Sequence, residues 1–239
     1  MLSCAILCGG LATRLRPITE TIPKSLISIN GEPFIAHQLR LLRSHGVEQV
    51  TLCAGHLGEM IQEYAKDGAS FGLTISYSFD GNKLLGTAGA VRKALPLLGD
   101  SFFVLYGDSF LPCNYSNVAT AFQRSTKQGL MTIYRNEGHY DSSNVEAAEG
   151  IIVKYDKKNR TSRMRYIDYG LGVFHRSVFE KIPQDTFQDL AVVYQELLAI
   201  RELASYEIRD RFYEIGSLEG IQDLERYLAI QDVRSSDSL

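Results

Sequence analysis

The sequence predicts an α/β protein with a mostly parallel sheet that helices cover on both faces. Short apolar runs alternate with segments in which apolar residues recur at helical spacing. Glycine, proline and polar residues separate these segments at close intervals. Strands that alternate with helices in this rhythm are joined by crossover connections, and these connections place helices on both faces of a parallel sheet.

The alternation is most regular before residue 110. The predicted strands lie at 4–8, 47–53, 73–78 and 101–106, and the predicted helices lie at 35–44, 58–67 and 88–97. The first of these helices ends at a His-Gly pair, a typical helix stop. Ligands of open α/β sheets bind beyond the carboxyl ends of the strands, so we expect a site in the loops that follow these four strands.

The pattern loosens in the second half of the chain. We predict helices near 117–128, 190–202 and 218–230, and strands near 130–136, 150–155 and 169–174. The chain has 239 residues and no internal repeat, which predicts a single domain over residues 1–231. Residues 232–239 are polar and are predicted to form a tail.

The composition excludes several classes of protein. The net charge is −3 with basic and acidic residues intermixed, so no nucleic-acid-binding surface is indicated. Charged residues, glycine and proline interrupt every apolar run before the ~20 residues that a membrane span needs. No basic segment precedes the first apolar run, so we expect a cytoplasmic protein. The four cysteines lack C-x-x-C spacing, and we expect them to be buried free thiols.

A glycine turn and three cations follow the first predicted strand. Segment 7–24 reads Leu-Cys-Gly-Gly-Leu-Ala-Thr-Arg-Leu-Arg-Pro-Ile-Thr-Glu-Thr-Ile-Pro-Lys. Glycine amides can turn toward an anion, and arginine can bind two phosphate oxygens through parallel hydrogen bonds. The segment therefore favours phosphate binding, although it matches neither G-x-G-x-x-G nor the Walker pattern. The alternative is a tight turn followed by solvated arginines.

Two further motifs lie in loops near predicted strand ends. Residues 84–90 read Leu-Leu-Gly-Thr-Ala-Gly-Ala before a predicted helix, which alone indicates a glycine turn with a threonine helix cap. Residues 102–108 read Phe-Phe-Val-Leu-Tyr-Gly-Asp, an apolar strand with a carboxylate at its carboxyl end. An aspartate in this place favours a functional role, and the alternative is that Asp108 caps a turn through Ser109.

Together these motifs resemble the signature of the sugar-1-phosphate nucleotidylyltransferase family. The matching stretches are Gly-Gly-x-x-Thr-Arg-Leu-x-Pro-x-Thr, the following Pro-Lys, and Leu-Gly-Thr-Ala-Gly. The resemblance is close over the first half of the chain and continues more loosely to about residue 230. It implies a Rossmann-like three-layer α/β/α sandwich, the nucleotide-diphospho-sugar transferase fold, with a small β extension. It divides the domain into a nucleotide-binding half at about 1–112 and an acceptor-binding half at about 113–231.

The resemblance also implies which residues bind nucleotide and metal. The nucleotide-binding positions of the family correspond to Leu7, Gly9, Gly10, Thr13, Arg14, Lys24, Gly86, Thr87 and Gly89. Arg14 and Lys24 would be catalytic, with Lys24 reaching the α-phosphoryl group. Asp108 would bind Mg²⁺, and Glu214 matches a second metal-binding residue, in Glu-Ile-Gly-Ser where the family typically has Asp-x-Gly-Thr. The alternative for Glu214 is a surface residue at a helix entry. Ala12 stands where many members have glycine.

The acceptor side of the resemblance is marked by fewer residues. The Glu-Lys pair of the family corresponds to Asp156 and Lys157, and its glycine-rich strand corresponds to the residues around Gly170. This implies that Lys157 binds the acceptor phosphate, unless it is a solvated member of the charged run around it. Asn144 and Asp168 are further candidates for binding acceptor hydroxyl groups.

The implied reaction joins a nucleoside triphosphate to a sugar 1-phosphate and releases pyrophosphate, with Mg²⁺ as cofactor and no protein nucleophile. The motifs resemble guanylyltransferases that act on mannose or heptose 1-phosphate, which favours GTP. Three alternatives stay open: a UTP-dependent hexosamine- or muramate-1-phosphate uridylyltransferase, a more distant phosphocholine-type cytidylyltransferase, and a catalytically silent, nucleotide-sugar-binding regulatory subunit. The glutamate at position 214 is the feature that favours the silent subunit. A sheet extension over 130–175 would suit a homodimer.

Overall fold

The structure is a computed structural model that describes residues 1–10 and 12–236, with side chains up to residue 231. Its strands are β1 (Ser3–Leu7), β2 (Ser28–Ile29), β3 (Glu32–Pro33), β4 (Gln49–Ala54), β5 (Thr74–Phe79), β6 (Ser101–Tyr106), β7 (Ser109–Phe110), β8 (Gly129–Arg135), β9 (Val145–Ala148), β10 (Ile151–Tyr155), β11 (Tyr166–His175), β12 (Leu203–Ile208) and β13 (Tyr213–Glu214). Its helices are α1 (Phe34–Ser44), α2 (Gly58–Ala65), α3 (Gly86–Ala94), α4 (Tyr115–Ser125), α5 (Ser177–Glu180), α6 (Leu190–Ala199) and α7 (Leu218–Ser236).

Nine of these strands form one central sheet. Its first part has the order β6-β1-β4-β5, and all neighbours there are parallel. Next to β6 lies the long strand β11, which is antiparallel to β6 and to β8, while β12 is parallel to β8. The hairpin of β9 and β10 joins the edge of β11. The predicted mostly parallel sheet with a β extension is confirmed.

The side chains of β1 show how the sheet is covered on both faces. Cys4 and Ile6 pack in a core with α1, α2 and α4, whereas Ala5 and Leu7 pack against α3, α5 and α6 on the other face. This alternation follows from the two-residue period of a strand. The three-layer α/β/α arrangement is therefore confirmed. Helix α7 packs through Leu224 on a third apolar cluster, together with Leu15 from the loop that follows β1.

Several helix ends differ from the predicted ends for local reasons. The chain leaves α3 at Ala94 and continues as a 3₁₀ turn that contains Pro96, because proline lacks the N–H that an α-helix requires. Helix α4 begins early because the side chain of Asn114 accepts a hydrogen bond from the N–H of Asn117 at 2.9 Å. Helix α7 continues to Ser236, and the last residues of the predicted tail, 237–239, lie outside the described residues.

All four cysteines are buried free thiols, as predicted. Burial raises the pKa values of the Cys8 and Cys113 thiols to about 12, so both are protonated near neutral pH. Among the helices of the described residues, none combines the length and the apolar character that crossing a membrane would take.

Candidate functional site

The carboxyl ends of the parallel strands open onto one cleft of about 380 Å³. This volume lies within the range of small-ligand sites. The predicted nucleotide and metal residues that line the cleft are Leu7, Gly9, Gly10, Thr13, Arg14, Lys24, Gly86, Thr87 and Asp108. The loops after β1 and β6, where the sequence predicts a site, therefore meet in space.

Close backbone contacts shape the floor of the cleft. The N–H of Gly107 donates to the carbonyl oxygen of Leu7 at 3.0 Å, and a Cβ atom on Gly107 would lie 2.5 Å from that oxygen. A larger residue would push apart the two strand ends and displace Asp108. Ala12 has a φ of 46°, so it keeps the left-handed backbone that glycine favours in spite of its side chain.

Opposite charges meet inside the cleft. The ammonium Nζ of Lys24 lies 2.6 Å from Oδ2 of Asp108. Gly216, which precedes α7, closes over the cations: a Cβ atom there would lie 3.3 Å from Nη2 of Arg14 and 3.6 Å from Nζ of Lys24. Arg14, Lys24 and Asp108 therefore face a single cleft, with two cations close enough to bind one polyanion.

The second predicted metal ligand, Glu214, lies beside Asp108 on a two-residue strand. Pairing of β13 with β7 sets Glu214 opposite Ser109, and the N–H of Ile215 donates to the carbonyl oxygen of Asp108 at 3.0 Å. Burial raises the pKa of the Glu214 carboxyl, and the nearby charge of Asp108 raises it further. Among the described residues, no three His, Cys, Asp or Glu side chains form a metal-binding group. Two adjacent carboxylates still match the donors that Mg²⁺ combines with phosphate oxygens.

A segment before α6, residues 185–189, lies across the start of α3, and we call it the strap. A Cβ atom on Gly86 would lie 2.6 Å from the carbonyl oxygen of Gln188, and one on Gly89 would lie 2.4 Å from that of Thr186. Both glycines of the Leu-Gly-Thr-Ala-Gly motif are thus needed for the strap to approach α3. Gly86 lines the cleft, whereas Gly89 lies behind it, against the strap.

The hydroxyl group of Thr87 also holds the strap. Its Oγ1 accepts a hydrogen bond from the N–H of Leu190 at 2.6 Å and donates to Oδ1 of Asp189 at 3.5 Å. Asp189 in turn caps α6 by accepting from the N–H of Ala191 at 2.8 Å. Thr87 therefore lines the cleft with a side chain that already has partners in the protein.

Three predicted acceptor residues are bonded to one another within the β extension. Oδ1 of Asn144 accepts from the N–H of Asp168 at 2.9 Å, and Oδ1 of Asp168 accepts from the N–H of Gly170 at 3.1 Å. Oδ2 of Asp168 accepts from the hydroxyl of Tyr155 at 3.3 Å. Burial raises the pKa of the Asp168 carboxyl. These bonds stabilise the irregular part of β11, where its register with β8 shifts after Asp168.

The fourth predicted acceptor residue, Lys157, reaches the edge of the cleft through Tyr106. Its Nζ lies 3.3 Å from the Tyr106 hydroxyl oxygen and 5.1 Å from the centre of that ring. Tyr106 lines the cleft, and a Cβ atom on Gly170 would lie 3.5 Å from Cδ2 of the same tyrosine. Lys157 and Gly170 thus meet around Tyr106, whereas Asn144 and Asp168 are not among the residues that line the cleft.

Several residues that line the cleft are not among the predicted site residues, and Asp80, Phe187 and Gly216 are three of them. Asp80 directly follows β5, so the rule that sites lie after strand ends could have found it. Its Oδ2 accepts from the N–H of Leu85 at 3.2 Å, and burial raises the pKa of its carboxyl. Phe187 lies in an irregular segment far along the chain, where no local pattern marks it, whereas Gly216 belongs to the Glu-Ile-Gly-Ser stretch from which only Glu214 is predicted.

The chain is similar in sequence to known nucleotidyltransferases. The family model described as "Nucleotidyl transferase" matches residues 4–224. The UTP–glucose-1-phosphate uridylyltransferase of Synechocystis is 33% identical over 77% of this chain and 52% of its own length. The D-glycero-alpha-D-manno-heptose 1-phosphate guanylyltransferase of Campylobacter jejuni is 37% identical over 64% of this chain and 67% of its own length. The chain thus spans about half to two thirds of these curated relatives.

A solved structure supports the fold. The crystal structure of a candidate glucose-1-phosphate thymidylyltransferase from Bacillus anthracis superimposes with a TM-score of 0.85 and covers 95% of both chains. The two sequences are 18% identical, so this likeness concerns the fold alone.

Proposed function

We propose, from the premise that this chain belongs to the sugar-1-phosphate nucleotidylyltransferases of the nucleotidyl transferase family, that it joins a nucleoside triphosphate to a sugar 1-phosphate. An oxygen of the acceptor phosphate attacks the α-phosphorus. The bond from that phosphorus to the oxygen bridging the β-phosphate breaks, and pyrophosphate leaves. The acceptor phosphate is already ionised near neutral pH, so the step needs no general base and no protein nucleophile.

The observation that carries the proposal is the single cleft shared by Arg14, Lys24 and Asp108. Two anions that repel each other must be held together for the reaction. The backbone amides at Gly9 and Gly10 and the guanidinium of Arg14 bind the triphosphate, and Lys24 donates to the α-phosphoryl oxygens. Fixed cations stabilise the charge that develops on these oxygens without reorganisation, and holding both reactants in place removes much of the entropic barrier.

The residues around Asp108 fit a divalent cation. Asp108 and Glu214 are neighbouring carboxylates next to the phosphate-binding cations, and Glu214 carries a raised pKa that a nearby cation would lower. Bound Mg²⁺ would screen the phosphate charges and polarise the phosphoryl group. The pairing of Ser109 with Glu214 and the hydrogen bond from the N–H of Ile215 to the carbonyl oxygen of Asp108 hold the two carboxyl-bearing segments together.

The acceptor enters on the side of Tyr106. Lys157 lies at that edge of the cleft with ammonium protons to offer a phosphate oxygen, since it has three donors and contacts Tyr106 with one. Gly170 lets the backbone of β11 pack close to the ring of Tyr106, since a Cβ atom there would lie 3.5 Å from Cδ2 of that ring. Mannose or heptose 1-phosphate is the acceptor that we propose, in line with the guanylyltransferase relative.

GTP is the nucleotide that we propose, and Asp80 supports this choice. A carboxylate can only accept hydrogen bonds when ionised, and guanine presents two neighbouring donors, N1–H and the 2-amino group. Uracil presents a single N–H between two carbonyl oxygens, which a carboxylate repels. A site built for a donor pair discriminates against bases that lack it. Asp80 lies beside Gly9 and lines the cleft, so it can contact a base while Gly9 contacts phosphate.

One assay tests the proposal. The purified protein is incubated with Mg²⁺, with each of GTP, UTP, CTP, ATP and TTP, and with a panel of sugar 1-phosphates, and pyrophosphate release is followed. We expect release with GTP and mannose or heptose 1-phosphate. Release with UTP and a hexosamine or muramate 1-phosphate would correct the substrates and keep the reaction. Nucleotide binding without release from any pair would contradict the enzymatic proposal and identify a silent binding subunit.

The role of Asp80 is tested in the same assay with Asp80→Asn. The amide places a donor where the carboxylate accepts, so we expect the preference for GTP over UTP in kcat/KM to fall about tenfold. An exposed acidic residue outside the cleft, Asp100, provides the control variant Asp100→Asn. An unchanged preference in Asp80→Asn would remove this residue from base recognition.

A further inference from the structure

Phe187 has an unusual environment for a large apolar side chain. It lines the cleft, yet 69% of its surface is exposed to solvent. An exposed phenyl ring loses the free energy that burial would contribute, so its place in a cleft indicates a ligand that covers it. We infer that the ring of Phe187 forms an apolar wall of the nucleoside subsite and stacks on the nucleobase of the bound triphosphate. This inference rests on the proposed function and adds a binding residue to it.

The backbone holds Phe187 firmly although its ring is exposed. On one side, the N–H of Gln188 donates to the carbonyl oxygen of Leu85 at 2.9 Å, and the carbonyl oxygen of Gln188 accepts from the N–H of Ala88 at 2.9 Å. On the other side, Asp185 pairs with Nζ of Lys93 at 3.5 Å. A ring carried by a fixed backbone loses little conformational entropy when a ligand binds to it, which favours its use as a stacking surface.

The position of the ring fits the base rather than the phosphates. Cε2 of Phe187 would lie 3.2 Å from a Cβ atom on Gly86, so the ring lies over the first turn of α3. Leu85, the residue before this turn, donates its N–H to the Asp80 carboxylate, which links the ring to the polar group that we assign to the base edge. Arg14, Lys24 and Asp108 lie in the other part of the cleft, around Gly216.

A second exposed apolar side chain completes this subsite. Leu84 is 39% exposed and also lines the cleft, and its Cδ2 would lie 3.2 Å from a Cβ atom on Gly55. The turn at Gly86 thus has an apolar side chain on each side, with Leu84 toward the loop after β4 and Phe187 on the strap. Among the parts of the two substrates, a flat aromatic base is the one that has apolar faces of this size. The phosphates are charged, and a sugar ring offers only a small C–H face between its hydroxyl groups.

The test separates the base from the phosphates. Dissociation constants for GTP, UTP and inorganic triphosphate are measured by calorimetry with Mg²⁺ for the unmodified protein and for Phe187→Ala. We expect the variant to bind GTP and UTP about tenfold more weakly, since stacking does not depend on the base edge, and to bind inorganic triphosphate unchanged. In turnover, KM for the nucleotide rises while kcat stays close to that of the unmodified protein. Ile151→Ala, an equally exposed apolar residue on β10, is the control.

Two results would overturn the inference alone. Equal GTP affinity in Phe187→Ala and in the unmodified protein, while pyrophosphate release persists, would remove the stacking role and leave the proposed function intact. Weaker binding of inorganic triphosphate together with a lower melting temperature would show that the ring only supports the strap. Failure of the unmodified protein to bind any nucleoside triphosphate would instead refute the proposed function and this inference together. Phe187→Tyr, which keeps an aromatic face, is expected to bind GTP about as tightly as the unmodified protein.

Discussion

The two halves of the molecule use their polar side chains differently. In the nucleotide half, Arg14, Lys24 and Asp108 come from loops after parallel strands and face the open cleft. In the acceptor half, Asn144 and Asp168 lie within an antiparallel extension and bond to its backbone. The first group lines the open cleft, whereas the second group is hydrogen-bonded within the protein.

This difference follows from the topology of the sheet. Parallel strands all end at the same edge, so their loops collect charged residues at one place without cost to the core. An antiparallel bend such as that of β11 interrupts backbone pairing, and side chains must satisfy the groups that it leaves. Substitutions in the nucleotide half should therefore change activity at constant stability. In the acceptor half, a substitution of Lys157, at the cleft edge, should change activity, whereas a substitution of Asp168, within the β extension, should change stability.

The largest effect is expected at Asp108. Asp108→Asn keeps the shape of the side chain but removes the charge that pairs with Lys24 and the carboxylate that a divalent cation needs. We expect kcat/KM to fall about a thousandfold at saturating Mg²⁺, with little change in melting temperature. Pyrophosphate release and thermal unfolding measure the two quantities. Full activity in this variant would remove Asp108 from the metal site and end the contrast between the halves.

A somewhat smaller loss is expected for Lys24→Ala. In the proposed reaction the ammonium group contacts the α-phosphoryl oxygens most strongly as their charge develops, so we expect turnover to fall about a hundredfold while the fold is unchanged. Lys181→Ala, at an exposed lysine outside the cleft lining, serves as the control for loss of a positive charge. Near-normal turnover in Lys24→Ala would contradict the role of this residue.

The same contrast explains which parts of the molecule the sequence predicts. The strands β1, β4, β5 and β6 lie within two residues of their predicted positions, because each carries its own periodicity and ends at a turn signal. The two-residue strands β7 and β13 pair Ser109 with Glu214 across more than a hundred residues. A two-residue element has no period to read. Such an element forms only because of tertiary contacts. The same holds for strand β12, which the sequence does not predict.

The glycine motifs show the same limit at the level of single residues. Gly86 and Gly89 are predicted to bind nucleotide because of their resemblance to a family motif. In the structure, the lack of a side chain at Gly86 lets the carbonyl group of Gln188 approach, and at Gly89 it lets that of Thr186 approach. Both carbonyl groups lie about a hundred residues away in the chain. A sequence reveals that a glycine is unusual in its place, but the atom that approaches it comes from elsewhere in the chain. Phe187 escapes prediction for the same reason, since the strap takes its place from these long-range contacts.

In the acceptor half, we expect a change in activity when Lys157 is substituted. Lys157→Ala should raise KM for the sugar 1-phosphate about tenfold, since it removes one charge-assisted hydrogen bond to the acceptor phosphate. KM for the nucleotide should not change, because Lys157 contacts the Tyr106 hydroxyl and is not among the residues that line the cleft. Steady-state kinetics with each substrate varied in turn measures the split. An increase in KM for both substrates would place Lys157 in the nucleotide half of the site instead.

The smallest effect is expected for Asp168→Asn, and it appears in stability rather than in activity. Burial raises the pKa of the Asp168 carboxyl, so the folded protein holds the proton more tightly than the unfolded chain. The unmodified protein should therefore lose stability as pH rises from the unfolded pKa through the raised folded pKa, because ionisation then places a negative charge at a poorly solvated position. The amide of the variant carries no such charge, and its oxygen can still accept a hydrogen bond from the N–H of Gly170 or from the hydroxyl of Tyr155. The melting temperature of the variant relative to the unmodified protein should thus increase from acidic to neutral pH, with KM for both substrates unchanged. A large loss of activity at constant melting temperature would mean that Asp168 binds the acceptor directly, and the two halves would then use their carboxylates alike.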